Sequence, residues 1–389
     1  MASSPVIAQV RVWEVNVPLM EEWAASPVFG ANPAGMDDRY VLCITDTEGF
    51  EGWGEEVRSG SRSSNFEALS GLVDRPVADF RLSFLDLWPE GTLYWQRPSP
   101  PSPYAADPAN LQHRLRHPMQ ALVEMALSEL TTRRAGLPLC ALWGGAWRDR
   151  VPVDYWMPRT TPDHAVKCVE RGKALGFCGV KLKTSLEDPN VERLEAIQQA
   201  SADSQVTVDA NGRFYRMDDA ISVLREMDRV GNMAILEDPF PRFHLEEFAE
   251  LRRRMNARVV VHIDPPESLW NVLTSGAAGG LNIDGACGLY NWRLQAASAG
   301  HANLPVWQGS GIDLGIATAA QLHLSASAPN CTLPGDQAGP WLRESHLLTR
   351  DFRVENGHVL IPGGPGMGVE VDLDALERYC THHRAWPAG

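Results

Sequence analysis

From residue 151 to residue 335 the chain repeats one theme, a short apolar run followed by an amphipathic helical stretch, and this repetition restricts the fold more than any other feature. The runs are VPVDYWM at 151–157, CGVKLKT at 178–184, QVTVDAN at 205–211, MAILEDP at 233–239, RVVVHID at 258–264, GGLNID at 279–284, LPVWQG at 304–309 and NCTLPG at 330–335. Helical patterns such as HAVKCVERGKALG and LEEFAELRRRMN lie between them. Eight βα units in succession predict an α/β fold of the (β/α)8 TIM-barrel type, with its chemistry at the C-terminal ends of the strands.

Charged residues sit at those ends in register. Lys183, Asp209, Glu237 and Asp264 follow one another at intervals of 26, 28 and 27 residues, so four successive strands deliver them to one mouth. Lys181 and Lys183 flank Leu182 and therefore face the same side of their strand. Three carboxylates brought together cannot all stay ionised without a cation between them. An all-oxygen ligand set of this kind suits Mg²⁺, with Mn²⁺ as the alternative. The neighbouring ammonium and the metal both disfavour protonation of Lys183, which is the property a general base needs.

The sequence ahead of the repeat has a different texture. VIAQVRVWEVNV at 6–17 alternates like a strand, RYVLCITDTEGFEGWGEE at 39–56 reads as a hairpin, and LRHPMQALVEMALSELTTRRAGLPL at 115–139 reads as a helix stopped by Gly-Leu-Pro. Residues 1–135 are thus expected to form an α+β capping domain with lid loops, and 136–350 the barrel. DFRVENGHVLIPGGPGMGVEVD opens a segment, 351–389, expected to return to the first domain. If the two N-terminal loops close over the barrel mouth, Trp23, Phe29, Trp53, Glu55, Glu56 and Arg58 shape the substrate pocket, whereas Trp156 and Trp307 read as core.

Composition narrows the partners. A net charge of −14 argues against binding a phosphate backbone, yet leaves room for a small anionic substrate in a locally cationic site. No basic leader with an apolar core opens the chain and no run of about 18 apolar residues occurs, so a cytoplasmic protein without membrane or nucleic-acid partners is expected. The 7 cysteines are scattered without a C-x-x-C pair and read as free, mostly buried thiols. A homo-oligomer is expected.

GVKLK, VDANGRF, ILEDPF, GLPLCALWGG and the closing PGGPGMGVEVD together resemble the enolase superfamily, in its mandelate racemase and muconate lactonizing enzyme branch, over nearly the whole chain. The resemblance implies a divalent metal and a lysine that stabilise the enolate formed when a base removes the proton α to a carboxylate. It places Asp209 and Glu237 as metal ligands with Asn211 beside the first, Asp264 as the third ligand with Glu267 as its substitute, Lys183 as the base and Lys181 as its partner. His262 reads as a hydrogen-bonded interior residue.

On the far side of the barrel this sequence departs from the branch. Where the racemases carry a histidine on the seventh strand it has Gln308, near the position of the supporting aspartate it has Gly279, and where the lactonizing enzymes end the sixth strand with lysine it has Asn282. Neither amide can act as a base. Asp284 reads as a loop cap, and Asp336 in LPGDQAGP stands where an acidic residue contacts substrate. With Lys183 and Lys181 catalytic, and Asn211, Gln308, Asp336 and Asn282 contacting substrate, the expected activity is that of a Mg²⁺-dependent lyase, a syn-dehydratase of a β-hydroxy carboxylate. The alternatives are a cycloisomerase or racemase, with Asp284 or His262 taking a second role, and a non-catalytic ligand-binding relative.

Overall fold

A computed structural model describes residues 5–20, 25–26, 30–31, 38–57, 63–77, 120–263, 268–283 and 288–387. The first sheet contains β1 (Ile7–Asn16), β2 (Asp38–Asp46) and β3 (Glu51–Val57), all antiparallel. Helix α1 (Gln120–Ala135) crosses it, and contact is close because β3 is thinned there: a β-carbon at Gly52 would lie 2.1 Å from the Ala126 carbonyl oxygen. Ile7, Val10, Val12, Tyr40, Leu42 and Ile44 bury their side chains with Leu122, Val123, Ala126 and Leu130 of α1 in a core of their own.

The repeat then begins. The expected first run is divided into β4 (Arg150–Pro152) and β5 (Tyr155–Met157). After it come α2 (Pro162–Ala174), β6 (Gly179–Lys183), α3 (Asn190–Ala200), β7 (Gln205–Asp209), α4 (Met217–Val230) and β8 (Met233–Glu237). The series continues with α5 (Leu245–Arg252), β9 (Arg258–Ile263), α6 (Ser268–Ser275), β10 (Gly280–Ile283), α7 (Leu289–His301), β11 (Val306–Gln308) and α8 (Gly315–Ser327). Strands β5 to β11 make one seven-stranded parallel sheet in sequence order.

The eighth run, 330–335, is not a regular strand. It bonds to both edges of the sheet: Val306 N–H donates to Asn330 O at 2.9 Å and Leu333 N–H to Val306 O at 3.3 Å, while Gly335 N–H donates to Pro152 O and Asp154 N–H to Gly335 O. The inner face of the sheet is apolar at its base, where Ile235, Val260, Trp307 and Leu333 form a separate cluster. The outward residues of the same strands, Val180, Leu182, Val208, Leu236, Val261 and Val306 among them, pack in the main core with the helices.

The chain finishes with a hairpin, β12 (Val354–Glu355) and β13 (His358–Leu360), whose second strand pairs with β4. Helix α9 (Leu373–Tyr379) follows, and β14 (Cys380–Pro387) then adds to the far edge of β1. Among the helices of the repeat that lack a side-chain cap of their own, two receive one from the N-terminal elements. Leu314 and Ala317 N–H donate to the two oxygens of Glu55, at 2.6 and 2.9 Å, at the start of α8. Tyr290 N–H donates to Glu124 at 2.7 Å at the start of α7. Of the six described cysteines none is in a disulfide; Cys43, Cys140, Cys168 and Cys331 are buried and Cys178 is exposed, while Cys287 lies outside the described residues. No described helix is long and apolar enough to cross a membrane.

Candidate active site

Period-two alternation puts Lys181 and Lys183 of β6, Asp209 of β7, Glu237 of β8, His262 of β9 and Asn282 of β10 on the inner face, and the direct pairings Lys183–Asp209–Glu237 set three of them at one level. Asp209 and Glu237 are fully buried. Lys183 Nζ donates to Asp209 Oδ2 at 2.5 Å and to Asn211 Oδ1 at 3.1 Å. Asn211 has a left-handed backbone, φ 46°, that turns its N–H back onto Asp209 Oδ1 at 3.0 Å.

Lys181 lies deeper. Its Nζ is 2.6 Å from Glu237 Oε2, 2.8 Å from Asp336 Oδ2 and 3.3 Å from Asp209 Oδ2, and 5.4 Å from the centre of the Trp307 ring. Burial opposes its charge, but Asp336, Glu237 and Asp209 outweigh burial and hold the ammonium well above its ordinary range. Lys181 is therefore a fixed cation. Asp209 is held below the usual carboxylate range, burial notwithstanding, by Lys183 and then Lys181. Glu237 is pushed up to about 8 by burial and by the Asp209 carboxylate beside it.

Two adjacent buried carboxylates, one of them driven toward its neutral form by burial and then by the other, are a site that a divalent cation would relieve. Their oxygens are the hard donors that Mg²⁺ prefers, so the residues present fit the metal. Glu237, Asp238 and His262 also bring ligand-type atoms within 4.8 Å of one another. His262 stays a neutral imidazole: burial first, then Arg242 and Lys181, push it well below its ordinary value, and its Nδ1 is 3.8 Å from Glu237 Oε1. Asp264, Glu267 and Asp284 lie outside the described residues, as do Trp23, Phe29 and Arg58.

Asn282 Nδ2 donates to Glu237 Oε1 at 2.6 Å. It can lean that way because residue 309 has no side chain: a β-carbon at Gly309 would lie 2.4 Å from Asn282 Oδ1. Asp336 is engaged on both oxygens, by Lys181 and, at 2.9 Å, by the Ser310 N–H. Gln308 does not join this group. Val306 packs in the outer core and Trp307 in the inner cluster, so Gln308 falls on the outer face, where its amide Nε2 donates to Gly309 O. The inward residues of β11 and its continuation are Trp307 and Gly309.

Glu55, as described, holds the start of α8, Glu56 is half-buried against the Leu122 N–H at the start of α1, and Trp53 stacks on Trp13 with 5.7 Å between centroids. Trp156, next to Lys181 in the β5–β6 pairing, and Trp307 are both buried, the latter as the aromatic wall of Lys181. Asp154 was not singled out by sequence reasoning. It is buried beneath Lys181, accepts from Thr207 Oγ1 at 2.7 Å, and is pushed up to about 7 chiefly by burial. Its place one step inward of Trp156 on the same face was the available signal.

The successive strand ends of this parallel α/β sheet thus bring two lysines, two carboxylates, an imidazole and an amide to one face. The family model described as enolase C-terminal domain-like matches residues 163–375. Muconate cycloisomerase 1 of Rhodococcus opacus is 30% identical over 274 residues, 67% of this chain and 71% of that enzyme. The o-succinylbenzoate synthase of Bacillus subtilis is 26% identical over 362 residues, 89% of this chain and 91% of that one. The crystal structure of 2-chloromuconate cycloisomerase from Rhodococcus opacus superposes with a TM-score of 0.77 at 19% identity, covering 98% of this chain and 100% of that one. The chain belongs to the enolase superfamily, in the mandelate racemase and muconate lactonizing enzyme branch, and is an enzyme of that superfamily.

Proposed function

We propose that this enzyme is a Mg²⁺-dependent lyase that removes the proton α to a carboxylate on one face of the substrate, a syn-dehydratase of a β-hydroxy carboxylate. The observation that carries this reading is the asymmetry of the mouth. Lys183 is held by Asp209 and Asn211 and would serve as the base, while the described wall across from it offers the Asn282 amide and the bare backbone of Gly309. The seven-stranded sheet with its bridging segment is read as the (β/α)8 barrel, and the four-stranded sheet with α1 as its cap.

Asp209 and Glu237 would hold the metal, with Asp264 or Glu267 as the third ligand. Bound there, Mg²⁺ supplies positive charge that stabilises an enolate. Lys183 takes the α-proton. Lys181, fixed as an ammonium, stands next to the carboxylate oxygens where charge builds up. Protonated Lys183 then returns its proton to the hydroxide that departs from the same face, so water leaves and the base is restored. A cycloisomerisation needs the same single lysine on one face, and the muconate cycloisomerase relative favours it as the second reading. Inversion at carbon needs proton donor and acceptor on opposite faces, which amides do not provide.

The test uses a panel of β-hydroxy carboxylates together with muconate, in deuterated water. Lys183→Ala should abolish turnover and α-proton exchange, while Asn282→Ala should keep measurable exchange. If the Lys183→Ala protein exchanges the α-proton at near wild-type rate, the base lies elsewhere and the one-base reading is wrong.

A further inference from the structure

The segment between β11 and α8 is tied to the N-terminal sheet with more bonds than a connecting loop needs. Arg39, buried on β2, donates through Nη2 to Gly311 O at 2.6 Å and to Ile312 O at 3.0 Å. Glu55, buried on the neighbouring strand β3, receives Leu314 and Ala317 N–H. Arg343 Nε also donates to Ile312 O at 2.9 Å, and Asp313 Oδ2 accepts from Gly311 N–H and from Gln321 Nε2.

Between these anchors Ile312 has φ 57°. A β-branched residue in the left-handed region is strained, and it stays there only when its surroundings overdetermine it. The strained turn leads directly to chemistry. Ser310 N–H donates to Asp336 Oδ1 and Ser310 Oγ to Asp336 O, and Asp336 Oδ2 receives Lys181 Nζ. Lys181 in turn contacts Glu237 and Asp209.

We propose that Arg39 and Glu55 are positioning residues for the active site: by holding residues 311–314 in the strained turn they fix Ser310, through it Asp336, and through Asp336 the lateral position of Lys181. Without that arm, Lys181 leans further onto Asp209 and Glu237 and competes with the metal for their oxygens. The inference rests on the metal reading above only in this last link.

Glu55→Gln and Arg39→Lys roughly keep the size of the side chain; the first removes one of the acceptors for Leu314 N–H at the end of the turn and Ala317 N–H in α8, the second the guanidinium that bonds Gly311 O and Ile312 O. Isothermal titration with Mg²⁺ alone should show about tenfold weaker binding in each, of the size that outer partners of a metal site typically contribute. Ser310→Ala should do the same, and the Glu55→Gln/Ser310→Ala double variant should be no weaker than the worse single one, because both act along one line. Amide hydrogen exchange provides the arm that needs no metal: protection should fall at 335–338 as well as at 310–317. Circular dichroism checks that each variant is folded, and Arg39→Lys replaces Glu55→Gln if the latter is not. Loss of stability with unchanged Mg²⁺ affinity and unchanged protection at 335–338 would reduce Arg39 and Glu55 to interdomain packing and overturn the proposal. If the wild-type protein binds no Mg²⁺, the metal reading is what fails, and exchange at 335–338 decides the positioning role alone.

Discussion

Glu124→Gln separates two opposed effects of one carboxylate. Glu124 accepts the N–H groups that open α7, an arrangement that normally stabilises a helix. It is also buried, with no cation among the groups that govern its charge, and burial pushes it up from 4.5 to about 7 in spite of the backbone donors. The folded chain therefore holds this proton more tightly than the unfolded chain does. The group's favourable contribution is complete below the unfolded value of 4.5 and is lost as pH rises through about 7. At about 1.4 kcal/mol for each pH unit, the loss is on the order of 3 kcal/mol. Glutamine cannot ionise and keeps one oxygen for Tyr290 N–H. Urea unfolding followed by tryptophan fluorescence should find Glu124→Gln close to wild type in mild acid. In mild alkali it should be more stable than wild type by on the order of 2–3 kcal/mol. If instead the variant loses ground to wild type as pH rises, the ionised cap outweighs its burial and the reasoning is wrong.

Two further expectations concern the inner wall. Gly309→Ala places a β-carbon 2.4 Å from Asn282 Oδ1. It should move Asn282 off Glu237 and weaken Mg²⁺ binding in calorimetry without a matching loss of stability. Trp307→Leu removes the aromatic surface shared by Ile235, Val260 and Leu333 together with the ring facing Lys181. It should cost about 2–4 kcal/mol in urea unfolding.

The strand ends that carry Lys181, Lys183, Asp209 and Glu237 were legible because two periods coincide there, two residues along a strand and roughly one βα unit between strands. Gln308 shows where that reading stops. Val306–Gln308 is a three-residue strand with Val, Trp and Gln in succession, so no alternation marks which face is inward. The inner cluster around Trp307 decides it, and the residue expected to face substrate turns outward. The eighth run was located correctly but bonds as a bridge between two edges, with Pro334 unable to donate to a regular ladder. Glu55 and Glu124 were beyond sequence reasoning for another reason. Their partners are backbone N–H groups more than a hundred residues away, which leave no side-chain signature at the helix they cap.

The pairing of β14 with β1 sets the order in which this protein can be completed on the ribosome. Gln9 lies opposite Pro387, so the outermost strand of the first sheet is translated after every strand of the parallel sheet. Until that strand has been made, one edge of β1 offers unsatisfied N–H and carbonyl groups to any other extended chain nearby. The parallel sheet, whose neighbouring strands are also neighbours in sequence, can assemble in that interval. A nascent chain of this protein thus carries an open edge on its first sheet until β14 emerges, and shielding of that edge matters throughout the interval.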